Sequence, residues 1–392
     1  MQQEQKAKGG KLNLKQYGMM IALVVIFLIF SMLSGGKNIS QMNINNLVMQ
    51  NSYVVILAIG MLLCIITGNV DLSVGSVVAF TGAICAIMVL DYKISIPIAF
   101  IVTLIIGLLI GMWEGLFIAK LEIPPFIVTL ANMLVFRGLT MVILQGQTKG
   151  PLPAEYVKIG AGYLPTLFGQ FRNIELELLS LFAGIIGSVL FVIIEFKNIA
   201  TKKKYGFDVP PMWQTVTKLA IIIFILNFFT IRLSQYNGLP VVLLIMLVLI
   251  LVYSFVSNNM VVGRQIYAVG GNSKAAKLSG INITKVMFWV YANMGLLCGL
   301  AGIVLSARNA SATPKAGDGF ELDAIASCYI GGASAYGGTG TIIGAVVGAL
   351  IMGVLNNGMS LIGWSVDIQK VVKGLVLLGA VTIDLLSKKK KK

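Results

Sequence analysis

Long uninterrupted apolar runs dominate the sequence, and each is about the length that crosses a lipid bilayer. A helix needs about 20 apolar residues to span the hydrocarbon core. The runs are continuous rather than alternating, which argues against a transmembrane β-barrel. The pattern therefore predicts an all-α fold, a polytopic bundle of transmembrane helices. We place the spans near 17–34, 48–67, 71–90, 95–118, 124–145, 178–195, 217–233, 239–257, 284–306, 341–361 and 367–386.

A glycine-rich segment leaves the number of crossings open. Residues 322–340 are too short and too interrupted for an ordinary span. Counted as a short crossing, the segment brings the total to about twelve; counted as re-entrant, it leaves about eleven, and mergers of neighbouring runs give about ten. We therefore expect about 10–12 spans with broken helices, in a single transmembrane domain over residues 1–392.

Composition supports a membrane protein. The chain has 392 residues, of which 57% are hydrophobic and 11% are charged, whereas soluble domains carry about 25% charged residues. The mean hydropathy is +0.90. The 43 glycines suit helices that pack closely through small faces.

The positive charge orients the bundle. Net charge is +15, and because the basic residues cluster in short loops and at the termini, they follow the positive-inside rule rather than marking a nucleic-acid-binding domain. Both termini and the loop 258–283 are predicted to be cytoplasmic, and the loop 146–176 extracytoplasmic. The first span is interpreted as an uncleaved signal anchor. The basic clusters are Lys6, Lys8, Lys11 and Lys15, then Lys202–Lys204, Arg264 with Lys274 and Lys277, and Lys388–Lys392.

The residues that usually carry catalysis or bind metals are scarce. The chain has no histidine, and its four cysteines, Cys64, Cys85, Cys298 and Cys328, lie in or beside apolar runs without C-x-x-C spacing. Small buried hydrophobes are the favoured interpretation of these cysteines. No clustered carboxylates or nucleophile–base pair is visible, so we expect neither an enzyme nor a resident metal or cofactor.

A polar turn joins the second and third spans. Asn69, Asp71 and Ser73 follow Gly68 there, and an acidic residue this deep costs about 2.5–3.5 kcal/mol at a helix centre. One interpretation is a broken helix that lines a translocation path. The other is a simple N-cap at a tight turn.

Another polar residue lies inside the fifth span, which starts at Pro124-Pro125. Paired prolines suit a helix start, and Arg137 follows well inside the run. Arg137 either faces a polar cavity or forms a buried pair with a carbonyl, and we favour the pair.

The loop 258–283 has helix signals of its own. The Gly270-Gly271-Asn272 break, followed by Ser273 as N-cap, predicts a short amphipathic helix that ends at Gly280. A small face of alanine and glycine suits a groove on another protein. The loop lacks the G-x-x-x-x-G-K-(S/T) spacing of a phosphate-binding loop.

Glycines dominate the segment before the tenth run. The cluster Gly331-Gly332 to Gly337-Gly338 predicts a helix break at membrane depth, which is tolerated only beside protein or a cavity. The spacing Gly344-x-x-x-Gly348 instead predicts close helix packing.

These four segments together resemble the permeases of ATP-binding-cassette sugar importers of the ribose, xylose and galactose branch. The family patterns GG-(I/V)-DLSVGS, P-x-FI-x-TL, GR-x-x-YA-x-GGN-x-x-AA-x-x-SGI and IGG-x-S-x-x-GG-x-G occur in order over about 68–358. Asn69 departs from the pattern, which usually has glycine there, so the geometry of this turn does not follow from the resemblance. The extra spans around 178–233 are most similar to xylose or multiple-sugar permeases.

The resemblance implies a bacterial cytoplasmic-membrane permease for a monosaccharide such as a xylose-like pentose. It implies a cassette ATPase partner that binds ATP and Mg²⁺, an extracytoplasmic sugar-binding protein, and a second permease copy beside membrane lipid. The residues it implies for the ATPase-coupling loop are Gly263, Arg264, Ala268, Gly270, Gly271, Asn272, Ala275, Ala276 and Gly280.

For the translocation path we expect alternating access past a set of polar side chains. The candidates are Asn69, Asp71, Ser73, Asn132 and Ser334. The alternative is an ion-coupled secondary sugar transporter, which would use deep ionisable residues, here Asp71, Glu114 and Arg137.

Overall fold

The computed structural model describes residues 14–166, 176–207, 209 and 211–389, and all regular elements in those ranges are helical. The N-terminal Lys6, Lys8 and Lys11, the loop residues 167–175, and the terminal residues 390–392 lie outside the described part. The helices are α1 Leu14–Leu33, α2 Gln41–Ile66, α3 Val74–Leu90, α4 Ile96–Gly115, α5 Pro125–Leu144, α6 Ala154–Ala161, α7 Leu178–Lys204, α8 Met212–Ser234, α9 Val241–Asn259, α10 Val261–Gly271, α11 Ser273–Leu278, α12 Ile283–Asn309, α13 Phe320–Ile330, α14 Ile342–Leu361 and α15 Val366–Lys389.

The predicted all-α polytopic fold is confirmed. Within the described ranges, eight helices are long and apolar enough to cross a membrane, and two shorter apolar helices, Ile21–Leu33 and Val74–Leu90, join them. These ten helices correspond to the first ten predicted spans. Helix α15 covers the last predicted span but carries charges such as Asp367 and Lys370 in its first turns.

By contact density the chain divides into two compact units, and the single-domain expectation stays a prediction. One unit comprises 39–45 and the described parts of 1–18 and 163–239. Helices α7 and α8 form its hairpin. Asn227 Nδ2 donates to Ser188 Oγ at 2.8 Å between them, and Lys218 pairs with Glu195 at 2.7 Å. Because both pairs lie between apolar helices, they hold the hairpin together where lipid offers no other partner.

The other unit comprises 19–38, 46–162 and 240–392, and its centre is the crossing of α4 and α12. Glycines spaced four apart, Gly107, Gly111 and Gly115, form one face of α4 and lie directly against the α12 backbone. A Cβ at Gly295 of α12 would in turn overlap the carbonyl oxygen of Gly107. Small residues at this spacing let two helix backbones approach closely.

A single methyl group at this crossing tests the arrangement. We expect Gly295→Ala to cost about 1–3 kcal/mol, the usual penalty for overpacking a tight site, because the added Cβ meets backbone on both sides. Thermal unfolding in detergent measures this loss. The matched control is Gly138→Ala on α5, where a Cβ meets nothing within 4 Å; equal melting temperatures for the two variants would contradict the close crossing.

The glycine-rich segment 322–340 forms a short helix followed by a turn. Helix α13 has 11 residues, so at 1.5 Å per residue it covers only about 16 Å of a core about 30 Å thick. Its partner is α14, where the predicted glycine pair is confirmed as a packing face. A Cβ at Gly344 would overlap the Gly331 carbonyl, and one at Gly348 would overlap that of Ser327.

Contacts with α15 show that this segment runs from one end of that helix toward the other. At the start of α13, Asp323 accepts from Lys373 near the beginning of α15. In the following turn, the Ala335 backbone N–H donates to Asp384 near the end of α15. Helix α13 and the turn at 331–341 therefore lie alongside α15 between Lys373 and Asp384, and whether this segment crosses the membrane or is re-entrant stays a prediction.

Two ion pairs attach α15 to this region, and they differ in burial. Lys370 donates to Asp318 at 2.9 Å on the surface, and this contact lowers the pKa of the Asp318 carboxyl below its ordinary value. Lys373 donates at 2.9 Å to Asp323, whose side chain is only 2% exposed. Asn356 of α14 also donates to Asp323, at 3.3 Å, so the buried carboxylate joins α13, α14 and α15.

Candidate functional site

The predicted coupling loop is two helices with a sharp break. Helix α10 ends at Gly271, Asn272 is extended, and α11 follows. The Asn272 side chain accepts from the Ala275 N–H at 3.0 Å and is therefore the N-cap. The prediction of Ser273 as the cap was wrong by one residue, because the longer Asn272 side chain reaches the third N–H of the helix. The predicted end is confirmed, with Gly280 at φ +83° just beyond α11.

The predicted coupling residues divide between an inner and an outer face. On the inner face, Gly263 and Ala276 are buried, and Ala268 and Gly270 are partly covered. The outer residues present their side chains or backbone to solvent. These are Arg264, Gly271, Asn272, Ala275 and Gly280.

Leu278, at the last position of α11, is a residue that the sequence reasoning missed. Its side chain is 90% exposed, far more than a leucine beside an otherwise packed helix requires. Leu278 is a candidate contact for a partner protein, because covering an exposed leucine side chain is favourable. The available signal in the sequence is a large apolar residue among lysines and serines, which the helix pattern of this loop does not distinguish from a packed position.

Helices α10 and α11, called the coupling segment below, are in direct contact with the membrane helices. Tyr267 of α10 donates its hydroxyl to the Gly340 carbonyl at 2.7 Å. A Cβ at Gly270 would overlap the carbonyl of Ile66, the last residue of α2. The same Ile66 carbonyl accepts from the Gly338 N–H at 2.8 Å. Helix α10 therefore contacts both the end of α2 and the glycine turn at 331–341.

Beyond the end of α2, the predicted path residues Asp71, Ser73 and Asn132 meet in one buried cluster. Ser73 Oγ lies 2.7 Å from Asp71 Oδ1 and 2.6 Å from Glu114 Oε1. Asn132 Nδ2 donates to the same Glu114 oxygen at 3.0 Å. Both carboxyl groups belong to residues that are 1% exposed. The cluster joins the starts of α3 and α5 to the end of α4.

Glu114 is the member that the path prediction left out. The sequence shows it as an acidic residue in an apolar run, and it was considered only as an ionisable candidate for ion coupling. A five-residue π-helical turn, Leu116–Lys120, begins two positions later. Such turns often lie at functional positions in helices, and here the turn follows the one carboxyl that links α4 to two other helices.

The interpretation of the polar turn as a helix start is supported in part, and the interpretation as part of a translocation path stays a prediction. The Ser73 N–H donates to Asp71 Oδ1 at 2.8 Å, a local contact of the kind expected at a helix start. Helix α3 begins directly after it, and Gly68 takes φ +84°. At the same time, the contact between Ser73 and Glu114 extends from this turn to another helix.

Two predicted path residues lie apart from the cluster. Asn69 donates to Thr67 and lies 3.8 Å from the Met287 sulfur. Ser334 is 2% exposed, and its N–H donates to the Thr339 carbonyl within the glycine turn. Neither reaches Glu114, because Asn69 and Ser334 serve local turns.

Arg137 forms the contacts with carbonyls that the sequence analysis favoured. Its guanidinium donates to the Ala316 and Pro314 carbonyl oxygens at 2.6 and 3.1 Å. These contacts fasten the segment between α12 and α13 to α5. Among the described residues no group of three or more histidine, cysteine, aspartate or glutamate side chains is arranged to hold a metal.

The polar cluster allows a direct test at Asn132. We expect Asn132→Leu, which keeps the side-chain volume, to cost about 1–3 kcal/mol because Glu114 loses a donor in a buried setting. Uptake is expected to fall as well if the cluster borders the path. Thermal unfolding and substrate uptake measure the two effects, and wild-type values for both would remove Asn132 from the site. Thr140→Val is the matched control, because Thr140 lies about two turns further along α5 and its hydroxyl donates to the Phe136 carbonyl.

Comparison with known proteins gives a consistent match over most of the chain. A family model described as branched-chain amino acid transport system / permease component matches residues 43–381. No solved structure matches significantly.

Named relatives are similar over almost their whole length. The xylose transport system permease protein XylH of Haemophilus influenzae is 39% identical over 378 residues, covering 96% of this chain and 98% of that protein. XylH of Escherichia coli K12 is 38% identical, covering 97% and 94%. The ribose import permease protein RbsC of Escherichia coli K12 is 36% identical, covering 93% and 92%.

Proposed function

Because the chain belongs to the family of branched-chain amino acid transport system permease components, we propose that it is the membrane-spanning permease subunit of an ATP-binding-cassette sugar importer. It lies in the bacterial cytoplasmic membrane and crosses it many times. It is a transport subunit and not an enzyme. The observation that carries this proposal is the exposed α10–α11 segment, which is tied by Tyr267 and Gly270 to the membrane helices.

A monosaccharide is the substrate class that we infer, and a xylose-like pentose is the specific candidate. The family description names branched-chain amino acids, but the relatives at 36–39% identity are named for xylose and ribose. Those relatives match over more than nine-tenths of their length. Whole-length similarity of this kind outweighs a description that covers a broad family.

The partner on the cytoplasmic side is a cassette ATPase, which binds ATP and Mg²⁺. The residues offered to it are the outer ones of the coupling segment. Among them are Leu278, whose side chain is 90% exposed, and Gly271, where an added Cβ would meet nothing within 4 Å. Burial of a leucine side chain against a partner contributes about 1.5–3 kcal/mol. The inner residues Gly263, Gly270 and Ala276 set the position of this surface.

On the opposite side, the partner is an extracytoplasmic sugar-binding protein, and a second copy of the permease completes the pathway. The loop 146–176 faces that side, and Lys149 within it lies against the chain just beyond the end of α12. There Lys149 and Ala312 exchange two backbone hydrogen bonds, and Lys149 pairs with Asp91 at 2.6 Å. Membrane lipid surrounds the apolar faces.

Transport proceeds by alternating access, with the buried cluster near the closed point of the path. Carboxylate, amide and hydroxyl groups are the side chains that hydrogen-bond sugar hydroxyls. In the described state Asp71, Ser73, Glu114 and Asn132 bond one another. Separation of α3, α4 and α5 would free those groups for the sugar, and the coupling segment can drive it through the end of α2.

The test is uptake by the complete system. Proteoliposomes that contain the permease and its cassette ATPase, with the binding protein outside and ATP inside, are given radiolabelled xylose, ribose or leucine. We expect accumulation of a pentose that requires ATP and withstands an uncoupler. ATP-independent uptake that collapses with an uncoupler would favour an ion-coupled transporter, and accumulation of leucine alone would overturn the sugar assignment.

A further inference from the structure

A cavity lies directly behind the coupling segment, among α9, α10, α12 and the end of α2. Its volume is about 510 Å³, within the usual range of ligand pockets. Most of its wall is apolar, including Leu63, Val256, Ile266, Val286 and Val290. A water molecule takes up about 30 Å³, and a methylene group is similar in size. The cavity therefore has room for roughly 17 methylene groups, about one lipid acyl chain.

The inner part of the wall retains a hydrogen-bond donor. Tyr253 donates its hydroxyl to Asn293 Oδ1 at 2.5 Å. Asn293 Nδ2 is buried and has no acceptor among the described residues. An unpartnered buried amide is costly, so an occupant with oxygen atoms fits this wall better than a pure hydrocarbon does.

The mouth of the cavity carries positive charge. Lys285 is exposed and is the one charged side chain among the described lining residues. It lies in the first turn of α12, where the Lys285 N–H donates to the capping Asn282 side chain at 2.9 Å. Helix N-termini favour anions. Trp289, one turn further along, is 50% exposed, and tryptophan is typical of the membrane–water interface.

We propose that this cavity binds one anionic phospholipid. The phosphate group of this lipid pairs with Lys285 at the start of α12. One acyl chain fills the cavity along its apolar wall, past Trp289 and Val290. The ester oxygens accept hydrogen bonds from the Asn293 amide. The second acyl chain stays in the bilayer. Basic pockets between transmembrane helices on the cytoplasmic side are suited to anionic headgroups. Because Ile266 and Tyr267 of α10 form part of the wall, the lipid supports the coupling segment from behind.

Quenching of Trp289 by brominated lipid tests the site without reference to transport. The full chain is placed in nanodiscs of phosphatidylcholine with a small fraction of either brominated phosphatidylglycerol or brominated phosphatidylcholine. The difference between wild type and Trp289→Phe isolates the Trp289 emission. We expect at least twofold stronger quenching by the brominated phosphatidylglycerol than by brominated phosphatidylcholine at the same fraction.

Two charge variants identify the headgroup contact. Lys285→Ala is expected to abolish the preference for phosphatidylglycerol. Lys285 and the control residue Lys277 are both exposed, so replacing either one should leave the fold intact. Lys277→Ala on α11 is the control, because Lys277 is exposed but does not line the cavity; it should keep the preference. Quenching equal for both lipids, no quenching by either, or a preference that survives Lys285→Ala would each overturn the proposal.

Discussion

The affinity of the permease for its cassette ATPase is expected to fall roughly ten- to hundredfold when Leu278 is replaced by alanine. The side chain is 90% exposed, and burial of a leucine in an interface contributes about 1.5–3 kcal/mol, where 1.4 kcal/mol equals a factor of ten. ATP-driven uptake should fall with it. Binding of the purified ATPase to the permease in nanodiscs, followed by uptake in proteoliposomes, measures both.

An exposed leucine elsewhere provides the control for this prediction. Leu134 of α5 is 67% exposed and lies on a face of a transmembrane helix, where lipid covers it. Leu134→Ala should bind the ATPase like wild type. A Gly271→Glu variant adds a second approach, since a Cβ there meets nothing within 4 Å and the added carboxylate is expected to act on the partner. Unchanged affinity in both Leu278→Ala and Gly271→Glu would exclude this segment as the docking surface.

Loss of the buried ion pair is expected to cost the most stability. Lys373→Met leaves the Asp323 carboxylate, only 2% exposed, without its cation. Removal of one partner from a buried pair costs about 3–5 kcal/mol. We expect a melting temperature well below wild type in detergent, with a loss of uptake, because the carboxylate joins three helices.

The exposed pair a turn away serves as the matched comparison. Lys370→Met breaks the contact with Asp318, where both side chains are more than half exposed, and such pairs contribute about 0–1 kcal/mol. The double variant Asp323→Asn with Lys373→Met removes both charges and should regain much of the stability. Equal losses for the Lys370 and Lys373 variants, or no rescue by the double variant, would contradict the role given to burial.

The sequence predicted the helices of this protein well because each apolar run is read independently of its neighbours. It was less informative about helix ends, as α7 continues to Lys204 beyond the span expected to end near 195. The segment 322–340 stayed ambiguous for a physical reason. Its course along α15 depends on where Asp323 and Ala335 contact that helix, and such contacts between distant parts of the chain leave no periodic signal.

Site residues were predicted to the extent that a local motif contained them. Asp71 and Ser73 belong to one turn, and Gly270 to another, so their spacing identified them. Glu114 lies outside any motif, and Leu278 occupies a position that the coupling-loop pattern leaves unspecified. Glu114 gains its place through Ser73, 41 residues earlier, and Asn132, 18 residues later, whereas Leu278 stands out by its exposure.

The pair between Asp323 and Lys373 also has a consequence for biogenesis. The ribosome makes the aspartate 50 residues before the lysine, so α13 emerges with an acidic side chain that has no cation to meet it. A segment of 11 residues with two acids in its first turn has too little apolar length to partition into the bilayer alone. We therefore expect helices α13, α14 and α15 to insert into the membrane together. A chain truncated before residue 373 should leave α13 outside the membrane.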